Sequence, residues 1–182
     1  PLAEGAFTES SILSFTDDGT QAAGVDQPLP FGALGQFASL PDLNAHREGP
    51  AIAVATDPAD PSVQYLYVMG GRDETGTGLA SLERLSIQHT DAGGQTVGAN
   101  WIAGGADIGA ARWQLGAFVA DDLSASSVMP IGETWIYAAG GLSDDLASLV
   151  PDVVAMRVEA GGALGESAGA RYALGTMQPY RA

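Results

Sequence analysis

The chain has 182 residues, no cysteine, and 22 acidic against seven basic residues, giving a net charge of −15. The length suits one domain with a real core, and the missing thiols exclude disulfides, thiolate metal centres, iron–sulfur clusters and cysteine nucleophiles. All seven basic residues are arginine, and so acidic a surface repels nucleic acid and anionic membranes.

In chain order, the first segment holds an apolar run, Ile12 to Phe15, followed by the turn sequence Asp17-Asp18-Gly19. Arg47 then precedes a small-residue strand from Ala51 to Ala55, closed by a Pro/Asp turn from Asp57 to Pro61. A second strand, Tyr65 to Met69, alternates Tyr65, Tyr67 and Met69 with Leu66 and Val68. That pattern suits a strand packed on both faces. It ends at Gly70-Gly71, where positive φ and close backbone approach are expected. A polar loop with Arg72, Asp73 and Glu74 leads to a third strand, Leu82 to Ile87. Gly93-Gly94 then precedes Trp101, which opens a fourth.

The order repeats. Arg112 and Trp113 precede a second small-residue strand, and Trp135 to Ala139 ends at Gly140-Gly141, 70 residues after Gly70-Gly71. A polar loop carrying Asp144-Asp145 leads to Val153–Val158, then to Gly161-Gly162, with Tyr172 as the nearest counterpart of Trp101. Tyr180-Arg181 resembles the start of a further copy. No stretch shows capped helical periodicity, so the fold is expected to be all-β.

This ordered set resembles the kelch repeat: an arginine before the inner strand, a tyrosine-bearing second strand ending in Gly-Gly, a third strand after a variable loop, and a tryptophan opening the fourth. The copies are longer here, since kelch repeats run to about 50 residues. The resemblance implies a kelch-type β-propeller fragment of four-stranded antiparallel blades, within one propeller domain. Residues 1–46 would supply the outer strands of one blade, 47–111 a second, 112–180 a third, and 181–182 the start of another. Closed propellers use about four to eight blades. Remaining blades are therefore expected from the same or another chain, and the start at Pro1 is read as processed, trimmed or interior to a longer product.

Sharper chemical motifs fare poorly. Gly165-Glu166-Ser167-Ala168-Gly169 spells a nucleophile elbow, but no helix is expected behind it, and no histidine follows His89. Gly104-Gly105 and Gly109 lack the βαβ frame of a dinucleotide loop. Asp17-Asp18, Asp121-Asp122 and Asp144-Asp145 do not match a calcium-loop spacing, and His46 and His89 are the only imidazoles. No catalytic residue, metal or cofactor is assigned.

In the kelch arrangement the loops joining fourth to first and second to third strands share one face. That face would carry His46, Arg47, Arg112, Trp113, Tyr180 and Arg181 from the first loop type, and Arg72, Asp73, Glu74, Asp144 and Asp145 from the second. Arginine and aromatic side chains are what recognition surfaces favour; the plainer reading has the arginines closing each blade through backbone carbonyls of the next. The expected function is a non-catalytic recognition or scaffold module binding a protein or glycan. Two alternatives are part of a kelch-type carbohydrate-active enzyme, such as a sugar mutarotase or oxidase with its active site in other blades, and a structural subunit of an envelope assembly. The composition suggests a bacterial protein of the extracellular, periplasmic or envelope space, with no membrane insertion.

Overall fold

A computed structural model describes residues 11–13, 37–90, 95–121, 133–143, 148–166 and 171–176. The protein is all-β, with no α-helix among the described residues and hence none long and apolar enough to cross a membrane. Strands β1 (Ser11–Leu13) and β2 (Phe37–Ser39) form an antiparallel pair.

Sheet I is an antiparallel meander of β3 (Ala51–Asp57), β4 (Asp60–Met69) and β5 (Leu82–His89). Its fourth position is split between β6 (Gln95–Val97) and β7 (Ile102–Ala103), both paired to β5. Sheet II repeats the meander without the split, through β8 (Gly116–Asp121), β9 (Thr134–Ala139), β10 (Asp152–Arg157) and β11 (Arg171–Thr176). A short 3₁₀ turn, Ala160–Gly162, lies between β10 and β11.

Pairing register fixes the equivalences. Met69 faces Leu82 where Ala139 faces Val153, and Ala51 faces Met69 where Gly116 faces Ala139. Ile102 pairs with Arg84 and Tyr172 with Ala155, the residue equivalent to Arg84. The expected match of Trp101 with Tyr172 is therefore one residue out: Tyr172 corresponds to Ile102, and Arg171 to Trp101. A one-residue slip moves a side chain to the opposite face of a sheet.

The strand alternation becomes two packed faces. Face A of sheet I carries Ala51, Ala53, Ala55, Tyr67, Met69 and Leu82, all buried in one core with Ile136, Ala138, Val154 and Met156 of sheet II. Alanine at three of the four buried positions of β3, Ala51, Ala53 and Ala55, lets that edge strand approach β8 and β9 closely, and the fourth is the buried Asp57. Face B of sheet I buries Leu66, Val68, Leu85, Ile87 and Trp101 against Leu40, just after β2.

Backbone ties lock the sheets together. The amide of Gly71 donates to the Arg112 carbonyl at 2.9 Å, and the amide of Gln114 to the Gly49 carbonyl at 2.7 Å. The Tyr67 hydroxyl donates to the Gly162 carbonyl at 2.8 Å. Gly70 has φ of 63°, and a Cβ there would stand 2.7 Å from the Arg112 carbonyl oxygen. The double glycine thus ends a strand and admits the neighbouring sheet's backbone. No closed ring of sheets is formed by the described residues.

Candidate functional site

The described parts of the loops expected to carry function, around residues 46–49, 71–77 and 112–114, converge at one end of the stack. Arg47 and Arg112 sit there but are buried, at 4% and 0% exposure. The Arg47 guanidinium donates to the carbonyls of Gly70 at 2.8 Å and Ser81 at 3.0 Å, and pairs with Glu83 at 2.9 Å. Arg112 donates to Gly140 at 3.2 Å and Asp152 at 3.1 Å, the equivalent carbonyls of sheet II, and also to Ile108 and Ala110. Each arginine therefore clamps the loop between the second and third strands of its own sheet. The expected target was the next sheet; instead the chain enters each inner strand beneath that loop, within reach of its own carbonyls.

The accessible part of this end is a ladder across the two sheets. Glu48 and Arg72 bridge through backbone amides at 2.8 and 3.0 Å and through two side-chain contacts of 2.8 Å. The Arg72 guanidinium lies 4.4 Å from the ring centroid of Trp113, on sheet II. Such a stack is a cation–π contact of about 0.5–1 kcal/mol at an exposed site. Trp113 is covered rather than open, at 8% exposure, and its indole nitrogen has no hydrogen-bond partner among the described residues. Glu48 stays accessible, with 56% of its side chain exposed. Hydrogen bonding to Arg72 holds its carboxyl below the usual glutamate range.

Asp73 stabilises the loop beside this ladder. Its carboxylate accepts from the Thr75 hydroxyl at 2.6 Å and from the Thr75 and Thr77 amides at 2.8 and 2.9 Å. The Thr75 hydroxyl bond, with the Thr77 amide next, lowers the Asp73 pKa. Glu74 is exposed at the loop tip, and His46 is half-buried with Nδ1 unpartnered among the described residues. The candidate residues Asp144, Asp145, Tyr180 and Arg181 lie outside the described residues, as do Asp17, Asp18, Asp122 and Ser167.

Sequence reasoning missed Glu48. Its signal in the sequence is its place, since Glu48 follows Arg47 as Trp113 follows Arg112. It also missed a cleft of about 410 Å³ at the opposite end, lined by Pro58 of sheet I and by Glu133, Thr134, Arg157 and Glu159 of sheet II. Arg157 pairs there with Glu133 at 2.9 Å and approaches Glu159 at 3.7 Å. No group of three or more histidine or carboxylate side chains is placed to hold a metal ion among the described residues. Gly105, in the glycine-rich stretch, forms a parallel bridge with Leu164 in place of any phosphate-binding turn. Compared with known proteins, the sequence matches no family model and no curated protein.

Proposed function

We propose that the chain is part of a kelch-type propeller acting as a non-catalytic recognition or scaffold module, binding a protein or glycan through the end that carries Glu48, Arg72 and Trp113. The Glu48–Arg72–Trp113 ladder carries this reading: three side chains from two sheets are held in one arrangement before any partner arrives. Preorganisation of that kind lowers the entropy lost on binding. A rigid β-stack presenting variable loops is also a common basis for recognition, although a fold alone does not set a function.

Charge narrows the partner. Arg72 is engaged by Glu48 and Trp113, so among the described residues the accessible charged groups of this end are chiefly the carboxylates of Glu48 and Glu74. The partner must bring donors, as glycan hydroxyls or basic side chains do. Amide spectra recorded during addition of neutral gluco-, manno- and galacto-oligosaccharides, and of an oligo-arginine peptide, test the reading. Shifts should be confined to residues 46–49, 71–77 and 112–114 and should disappear in Arg72→Ala and Glu48→Gln. Shifts centred on Glu133 and Arg157, or none with any probe, would overturn it.

A further inference from the structure

We propose that Arg84 anchors a binding site for a small monocarboxylate on face A of sheet I, with Tyr65 and Ile102 as its walls. Arg47, Arg72, Arg112 and Arg157 are all satisfied within the chain, by backbone carbonyls or by glutamates. Arg84 has no hydrogen bond or ion pair among the described residues, and its Nε is shut off from solvent without a partner. An arginine that served only to solvate a surface would keep all its donors in water. Here the side chain is pressed into the sheet face, and the fork of its two terminal nitrogens is the accessible edge. A guanidinium partly withdrawn from water, with no counter-charge paired to it, attracts an incoming anion more strongly than a fully hydrated one.

Packing does not demand a cation at this position. The equivalent residue of sheet II is Ala155, fully buried beside Trp135 and Tyr137. In sheet I, Arg84 faces Tyr67 on β4 and Ile102 on β7, and such cross-strand neighbours have Cβ atoms about 4.5–5.5 Å apart on one face. Ile102 is 48% exposed, which leaves apolar surface open beside the guanidinium. On the other side, the guanidinium carbon lies 5.9 Å from the Tyr65 ring centroid, against 4.4 Å for Arg72 over Trp113. The longer contact is at the limit of a cation–π interaction and leaves the charge largely uncompensated. Tyr65 is itself held in place, because Gly162 packs against its ring with no room for a Cβ.

A carboxylate is the anion that fits. It meets the planar fork with two parallel hydrogen bonds, and an apolar body behind it would rest against Tyr65 and Ile102. The local field limits the ligand to a single charge. Burial first, and then the charges of Asp57 and Asp60, raise the Tyr65 pKa, so both carboxylates act on this neighbourhood. A dianion such as sulfate would meet that repulsion twice over, on a chain of net charge −15. Glu48, Arg72 and Trp113 take no part in this site, so it stands or falls separately from recognition at their end of the stack.

Titration of the full chain with benzoate, acetate and sulfate at constant ionic strength, followed in amide and arginine Nε–H spectra, tests this. Benzoate should give saturable millimolar shifts at Tyr65, Arg84 and Ile102 and at the Arg84 side chain. Acetate should bind about tenfold more weakly for want of an apolar body, and sulfate more weakly still. Arg84→Gln should abolish the shifts with the melting transition unchanged, since no internal hydrogen bond is lost. Arg84→Lys keeps the charge without the fork and should weaken benzoate by about tenfold. Ile102→Ala should weaken benzoate and leave acetate as it was. The Arg84 Nε–H signal of the wild-type chain is decisive even where a variant is unstable: no saturable shift there with any of the three anions overturns the proposal. So does an Arg84→Gln chain that binds benzoate as wild type does, or sulfate binding as tightly as benzoate.

Discussion

Sheets I and II solve one backbone problem with different side chains. Both bury an arginine beneath the double glycine and spend its guanidinium on two carbonyls of the same loop. In sheet I the arginine also meets Glu83, whose carboxylate accepts from the amides of Asn44 and Ala45 at 2.7 and 3.3 Å. The equivalent of Glu83 in sheet II is Val154, buried in the apolar core between the sheets. The carbonyl clamp is thus the shared element, and the buried ion pair is an addition that ties the segment before β3 to sheet I. At the neighbouring bridge the sheets diverge again: Glu48 and Arg72 form an ion pair where Trp113 and Leu142 are bridged through backbone alone.

The largest expected effect separates clamp from ion pair. Arg47→Ala removes the clamp and leaves Glu83 buried without its cation, a loss of about 3–5 kcal/mol in urea unfolding. Glu83→Gln removes the charge and keeps one acceptor oxygen, enough for Ala45 and Arg47 Nε or for Asn44 but not for both, while Arg47 retains both carbonyls. It should cost about 1.5–3 kcal/mol, the value of one hydrogen bond to a charged group. Equal costs for the two variants would break the comparison, since the ion pair rather than the clamp would then hold sheet I together.

A second test uses the turn before each inner strand. Gly49 and Gln114 occupy equivalent places and have φ of 61° and 52°. Gln114 is the sole non-glycine residue with positive φ among the described residues, in a region that costs an L-residue about 1–2 kcal/mol. Gln114→Gly should therefore raise stability, offset in part by the greater freedom of glycine in the unfolded chain, for a net gain of about 0.5–1 kcal/mol. Gly49→Gln should lose a similar amount or more, because a Cβ there would lie 3.3–3.4 Å from Gln114 and Trp113. A Gln114→Gly chain less stable than wild type would show that the glutamine side chain does something sheet I does without.

Much of this was legible in the residues. The alternation of Tyr65, Tyr67 and Met69 with Leu66 and Val68 marked a two-faced strand, and Gly70-Gly71 marked its end, because strand period and glycine conformation are local properties. The split fourth strand of sheet I was not legible, nor was the Trp101 register. Register depends on which residue of β5 faces which partner, and a slip of one leaves the composition of the segment unchanged. The fate of the arginines lay between these cases. Their recurrence signalled a structural position, but loop geometry decided which carbonyls they reach. The Glu48–Arg72–Trp113 ladder joins residues up to 65 positions apart in the chain, and spacing alone does not encode such a contact.

The smallest effect sharpens the divergence at the exposed end. Glu48 and Asp73 both have carboxyls held below their ordinary values, Glu48 by Arg72 and Asp73 by Thr75 and Thr77. A carboxylate whose folded pKa is depressed adds stability that is present above its unfolded value, 4.5 for Glu48 and 3.8 for Asp73, and is lost as pH falls through the folded value. Both groups are solvated, so this contribution is slight. Carboxyl carbon shifts followed through an acid titration can still separate the two causes. In Arg72→Ala the Glu48 midpoint should rise towards 4.5, while Asp73, held by its own loop, stays in place. Added salt should shrink the charge-derived part of the Glu48 depression and leave the hydrogen-bonded Asp73 nearly unchanged. Were Asp73 to move with Glu48 in that variant, the loop and the ladder would be one cooperative unit, and the divergence between the sheets would extend from a pair of side chains to the whole end of sheet I.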